Sequence, residues 1–178
     1  MNIVELERDR WQGHPLPMGF VATTGYDIAI QRNGDDFEVS FTKQSLPVAF
    51  VKQPVEDDRL FQDHWDDARA WGVIEGDDLL AVVETAVESW NNRLRITELW
   101  VGTRLRRQGV ATTLMNAAFQ RARDEGRRMV VLETQSNNTP AIEFYLRYGF
   151  ELIGFDASHY SNDDVAKREV RLEFGKPV

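Results

Sequence analysis

The sequence predicts an α/β (α+β) fold in which a mixed, mostly antiparallel central sheet is flanked by helices. Three observations carry that expectation. Runs of strand length follow one another from Tyr26 to Val101, separated by turn signals. After Gln108 the apolar period changes to that of a helix. A short apolar run and a second capped helix follow, the order of a strand–helix–strand–helix unit.

In chain order, "YDIAIQR" (26–32) and "FEVSFTKQ" (37–44) alternate around Asn33-Gly34-Asp35-Asp36. Asn-Gly supplies the positive φ of a tight turn, so the pair reads as a hairpin. "VEDDRLFQDHWDD" (55–67) sets Glu56, Asp57, Asp58, Asp63, Asp66 and Asp67 against Arg59. It reads as a solvated loop or short helix, with an acidic lip facing substrate as the alternative. "AWGVIEG" (70–76), "LLAVVETAVESW" (79–90) and "RLRITELWV" (93–101) read as strands joined at Gly76-Asp77-Asp78 and Asn91-Asn92.

Between 108 and 125, Val110, Leu114, Ala118 and Ala122 recur every fourth position, with Ala111, Met115 and Phe119 beside them and Gly126 as a stop. "MVVLETQ" (129–135) suits a buried parallel strand. "SNNTPAIEFYLRYGF" (136–150) gives polar cap residues, Pro140 in a first helical turn and Gly149 as terminator. "ELIGFD" (151–156) and "KREVRLEF" (167–174) read as closing strands. No repeat or linker interrupts this order, and 1–178 is expected to be a single domain.

The chain has no cysteine, which removes disulfides, thiolate metal sites and a cysteine nucleophile from consideration. No apolar run is long enough to span a bilayer and the N-terminus lacks the pattern of a signal peptide, so a cytoplasmic protein without membrane contact is expected. The net charge of −8 argues against nucleic acid as a partner. It suits a cationic small molecule, or simply a soluble surface. His14, His64 and His159 are too scattered for a metal site.

"RLRRQGVATTLM" (104–115) places arginines and Gly109 where the first long helix begins. A helix N-terminus carries unpaired N–H groups and partial positive charge, so added cations make sense if an anion sits there. Gly109 allows close backbone approach and Ala111 keeps the first turn small. The residues alone leave a pyrophosphate site and a solvated arginine cluster both open. The spacing matches neither GxxxxGK[ST] nor GxGxxG.

"RRQGVA" followed by "NNTPAIEFYLRYGF", with "LETQ" on the strand between, resembles GNAT-family N-acetyltransferases over residues 70 to 156. The resemblance implies the GNAT fold, acetyl-coenzyme A as co-substrate and no metal. It also implies coenzyme contacts at Leu99, Trp100, Val101, Arg106, Arg107, Gln108, Gly109, Val110, Ala111, Thr112, Asn138, Ala141 and Phe144. Leu99 and Val101 would offer backbone groups to the pantetheine arm as an added strand does. Tyr145 falls where the family places the acid that protonates the coenzyme sulfur; without the motif it reads as a core tyrosine.

"WNNRLRITELWV", "LETQSNN" and "GFELIGFDASHYSN" are similar to the streptothricin acetyltransferase subfamily, whose Asp and Tyr after the second helix fall at Asp156 and Tyr160. With Glu133 these are the expected acceptor contacts. The subfamily's acidic pair on the central strand is here Thr97-Glu98, so one carboxylate is missing, and its aromatic-rich final strand reads "VRLEF".

Amine acetylation needs a neutral nucleophile, yet an alkyl amine with a pKa of about 10.4 is mostly charged at neutral pH. A base is therefore required, directly or through a water. Glu98 is the candidate, expected to alternate with Leu99 and to share a face with Ile96 and Trp100; Glu84 and Glu133 are weaker substitutes. Direct transfer is expected over a covalent acyl-enzyme. The expected acceptor is a primary amine on a small cationic molecule, a streptothricin-type antibiotic first. A polyamine or protein-amine acetyltransferase, a non-catalytic acyl-coenzyme A sensing module and a homodimer all stay open.

Overall fold

The computed structural model describes residues 2–178. The elements run β1 (Val4–Glu5), α1 (Arg8–Trp11), β2 (Phe20–Asn33), β3 (Asp36–Lys52), β4 (Arg69–Glu75), β5 (Asp78–Glu88) and β6 (Arg93–Val101). There follow α2 (Val110–Asp124), β7 (Met129–Gln135), α3 (Thr139–Tyr148), β8 (Glu151–Asp156), α4 (Asp164–Lys167) and β9 (Arg171–Pro177). The chain forms two compact units. One holds the N-terminal segment through Met18, Pro54–Leu132 and Gly175–Val178, the other Gly19–Gln53 and Glu133–Phe174.

In the first unit the strands lie in the order β1-β4-β5-β6-β7, antiparallel except for the parallel pair β6 and β7. Helix α2 buries Leu114, Met115, Ala118 and Ala122, the expected stripe. Burying a side chain the size of Leu or Met stabilises by about 1.5–3 kcal/mol. The helix starts at Val110 rather than Gln108 because Gly109 is left-handed, with φ +79°.

Arg121, on the same helix, is 4% exposed and is not visible in the apolar pattern. Its guanidinium donates to Thr85 (carbonyl 3.0 Å, Oγ1 2.9 Å), Asp67 (carbonyl 2.9 Å, Oδ2 2.7 Å) and Glu125 Oε1 (2.7 Å). Five acceptors around one buried cation are what a desolvated charge requires.

A second apolar cluster of this unit joins Leu6, Trp11, Leu16, Leu60, Phe61 and Val82, with Met18, Trp65 and Trp100 packed against it. The acidic stretch 55–67 is therefore an irregular loop pinned at its middle. Leu60 and Phe61 are 0% and 1% exposed, and Leu60 exchanges backbone hydrogen bonds with the Gly13–His14 turn.

In the second unit β2 and β3 form the expected hairpin, longer at both ends and closed by Asn33 opposite Asp36. Between the pairs Thr24–Ser45 and Ala22–Phe50, β3 carries residues 46–49 where β2 has only Thr23, so β3 bows outward there. The strands β7, β9 and β8 lie side by side in that order. The strand expected at 167–174 begins instead at Arg171 and runs to Pro177. Lys167 ends the short helix α4, whose Asp164 accepts hydrogen bonds from the Tyr160 N–H (2.8 Å) and the Ser161 hydroxyl (2.7 Å).

Candidate active site

In the first unit the turn before α2 combines Arg107 at φ +61° with Gly109 at φ +79°. Gly109 precedes the helix with no side-chain cap. A helix leaves its first N–H groups without intrahelical partners, and here those of Val110, Ala111 and Thr112 follow an exposed Gly109. A Cβ at Gly109 would meet nothing within 4 Å, so the space above the turn is open. Arg106 Nε donates to the Val101 carbonyl (3.0 Å) and Gln108 Nε2 to the Arg104 carbonyl (2.7 Å), which fixes the turn from both sides. Arg104 is bound to Glu75, whereas Arg107 is exposed. An anion placed there meets the helix dipole, backbone donors and a guanidinium together.

Strand β6 pairs with β7 only from Arg93 to Arg95. Residues 96–101, which include Leu99, Trp100 and Val101, thus have no strand on that edge among the described residues of this unit. An edge of this kind accepts an extended chain. The Val101 carbonyl is already taken by Arg106.

The β5–β6 register explains the setting of Glu98. Glu84 lies opposite Glu98 but Thr85 lies opposite Ile96, so Thr97 is an extra residue in β6. Paired residues share a face and neighbouring ones do not. Glu98 therefore alternates with Leu99 and shares a face with Trp100 as expected, but Ile96 lies on the opposite face, a correction to the expected grouping. The bulge is the reason.

Glu84 is 0% exposed. It accepts hydrogen bonds from Thr97 Oγ1 (2.7 Å) and from the Phe61 N–H (2.5 Å). Burial pushes its carboxyl above the usual range, against the opposing pull of those two bonds and of the charges on Arg8 and His64. The buried Glu84 carboxylate thus lies across the strand pair within hydrogen-bond reach of Thr97.

In the second unit Asn138 caps α3, its Oδ1 accepting from the Ala141 N–H (3.4 Å), with Pro140 in the first turn and Gly149 at φ +98° closing the helix. Ala141 and Phe144 are partly exposed on that helix. Tyr145 is 8% exposed, and its ring packs against Phe144, Phe150 and Phe174.

Glu133 and Tyr160 are brought together, with Tyr160 Oη donating to Glu133 Oε2 at 3.2 Å. Burial, then the Glu133 charge, pushes the Tyr160 phenol well up, so it stays a donor at neutral pH. Asp156 does not join them. It accepts from the Ser158 N–H and lies 3.6 Å from His159. Arg171, which sequence reasoning placed only in a closing strand, connects the two halves, pairing with Glu133 (3.0 Å) and Glu173 and touching His159 Nε2 at 2.9 Å. Glu133 is therefore partly neutralised, a feature hidden in a sequence separation of 38 residues. Among the described residues no group of His, Asp and Glu is arranged to hold a metal ion.

Known proteins share this architecture. The pattern of the acetyltransferase (GNAT) family matches residues 36–150. This chain belongs to the GNAT family. Membership places it among N-acetyltransferases that draw on acetyl-coenzyme A. Streptothricin acetyltransferase of Streptomyces lavendulae is 34% identical over 53% of this chain and 50% of its own length, so the match spans half of that relative. Streptothricin acetyltransferase of Escherichia coli is 28% identical over 86% of this chain and 82% of the relative. The crystal structure of a nourseothricin acetyltransferase superposes with a TM-score of 0.74 at 26% identity, covering 99% of this chain and 97% of the other. No helix of this GNAT chain is long and apolar enough to cross a membrane, among the described residues.

Proposed function

We propose that this chain transfers the acetyl group of acetyl-coenzyme A to a primary amine on a small cationic molecule in the cytoplasm, a streptothricin-type antibiotic being the first acceptor to try. The observation that carries the donor side is the left-handed, open Gly109 ahead of α2, with Arg107 beside it. The relatives named for streptothricin and nourseothricin support the acceptor side.

In this reading the pyrophosphate lies on the turn from Arg106 to Thr112, and the pantetheine arm runs along Leu99, Trp100 and Val101. Asn138, Ala141 and Phe144 complete the coenzyme contacts. The amine nitrogen attacks the thioester carbonyl and the C–S bond breaks. Tyr145 gives its proton to the departing sulfur, and the amine proton leaves to Glu98 or to a water held by it. With no cysteine in the chain, transfer is direct. Glu133, Tyr160 and Asp156 contact the acceptor, Asp156 supplying the less neutralised carboxylate.

The test is free-thiol release from acetyl-coenzyme A with a panel of streptothricin, spermidine, a lysine peptide and an uncharged amine. Release with streptothricin well above the rest is expected. Release with the lysine peptide alone would move the reading to protein amines, and none with any amine would leave only coenzyme binding.

A further inference from the structure

Glu84, in the middle of β5, is sealed from solvent, and both of its carboxylate oxygens are engaged. Thr97 Oγ1 donates to Oε1 at 2.7 Å and the Phe61 N–H to Oε2 at 2.5 Å. Held in this way, Glu84 cannot meet an incoming amine, although its residue type suits a base. One of its donors sits in the bulge of β6 and the other in the acidic loop 55–67, and both belong to the first unit.

The bulge decides which way Glu98 faces. Thr85 lies opposite Ile96 and Glu84 opposite Glu98, with Thr97 as the extra residue. Regular pairing onward from Thr85 and Ile96 would bring Thr97 to Glu84 and Glu98 to Val83. A slip of one residue exchanges the two faces of a strand, so Glu98 would turn to the side of Val83, which is fully buried.

A bulge interrupts the ladder where it sits, so the extra residue needs support from elsewhere. Thr97 finds it in the carboxylate across the strand pair. That carboxylate is fixed in turn from the loop, whose Leu60 and Phe61 are buried in the core. Phe61, Glu84 and Thr97 thus form one chain of hydrogen bonds that ends beside Glu98.

We infer that Glu84 is a positioning residue for acetyl transfer: through Thr97 it holds the bulge that directs Glu98, and through Phe61 it is itself held by the acidic loop. The inference rests on the reading of Glu98 as the base.

The test compares Glu84→Gln, Glu84→Met, Thr97→Val and Glu98→Gln in the full chain. Amide hydrogen exchange, calorimetry with coenzyme A, and thiol release with the fastest amine of the panel above are the readings. Glutamine restores both bonds, its oxygen accepting from the Phe61 N–H and its nitrogen donating to Thr97 Oγ1, whereas methionine fills the space and makes neither.

In Glu84→Met, exchange of the 94–99 amides should quicken by about tenfold or more, the scale of a lost buried hydrogen bond. Turnover should fall at least about tenfold, since displacing a reacting group by about 1 Å can lose more than that. Coenzyme affinity should stay within about threefold, and Glu84→Gln should rescue both exchange and kcat. Thr97→Val removes only the bond from the bulge and places a strand-forming residue there, so it carries the test if Glu84→Met does not fold. Its kcat should fall while the 58–62 amides stay protected. Unchanged 94–99 exchange in Thr97→Val would overturn the inference whatever the acceptor. Parent-like turnover in Thr97→Val, or Glu84→Gln as impaired as Glu84→Met, would overturn it and leave Glu98 as the base. Parent-like turnover in Glu98→Gln would overturn both.

Discussion

Thr97 Oγ1 donates to Glu84 Oε1 at 2.7 Å, from the bulge of β6 to the middle of β5. The bond ties the bulged residue of β6 to a carboxylate of β5 that is 0% exposed. Glu84 and Glu98 sit opposite each other on one face, so the strand pair retains two acidic groups, one of them fully buried.

That burial has a pH signature. A carboxyl held above its ordinary range binds its proton more readily in the folded chain, so stability declines as pH rises through the raised value and is regained as pH falls. Glu84→Gln keeps an acceptor for the Phe61 N–H and carries no charge. Its stability relative to the parent should climb as pH rises from about 4 to about 8, the range above the ordinary Glu value. Glu88, held low by Asn91 and its arginines, and Glu125, held low by its arginines, both against their own burial, act with the opposite sign but equally in both proteins. Urea unfolding across that range gives the answer, and a pH-independent difference would contradict a raised Glu84.

Arg121 ties α2 to β5 and to the end of the acidic loop. Arg121→Met keeps most of the buried stem and removes the donors to Thr85, Asp67 and Glu125. A loss of about 2–3 kcal/mol is expected, the scale of hydrogen bonds to a charged group, because Asp67 is half exposed and re-solvates. Denaturant titration at neutral pH measures it, and a loss below about 0.5 kcal/mol, the level of an ordinary surface change, would mean the cation is dispensable.

Gly109→Val puts a β-branched side chain at φ +79° into the open space above the turn. The dissociation constant for coenzyme A should rise at least about tenfold, or ~1.4 kcal/mol. Calorimetry on the folded variant decides; unchanged affinity would remove the pyrophosphate from this turn.

The helices were the most legible part of the sequence. Gly109, Asn138 and Gly149 act within one turn of themselves, so local chemistry fixes α2 and α3 to within two residues. What stayed hidden depends on partners far along the chain. The Thr97 bulge is set by the β5 register, and the 46–49 bow by β2. Leu60 and Phe61 looked like part of a charged loop because their burial is decided by Leu6, Trp11 and Leu16. Arg171 could be read only as part of a closing strand, and its pairing with Glu133 comes from the fold. In the candidate site, therefore, the glycine turn ahead of α2 could be read directly, while the setting of Glu98 and the neutralisation of Glu133 could not.

Tyr145→Phe removes one hydroxyl and keeps the ring among Phe144, Phe150 and Phe174. If Tyr145 is the acid, kcat should fall by about 10²-fold or more while coenzyme affinity stays within a few fold. Steady-state kinetics paired with calorimetry separates the two quantities, and equal turnover would make Tyr145 a core residue.

The central claim is acetyl transfer from the coenzyme to an acceptor amine. Its most direct measurement is mass spectrometry of streptothricin incubated with the purified chain and acetyl-coenzyme A, with coenzyme A thiol counted in parallel. The account predicts one acetyl group on an amine of the antibiotic for each thiol released, and both slowed by about 10²-fold or more in Tyr145→Phe. Thiol release without acetylated antibiotic, or binding of acetyl-coenzyme A with neither product, would contradict it.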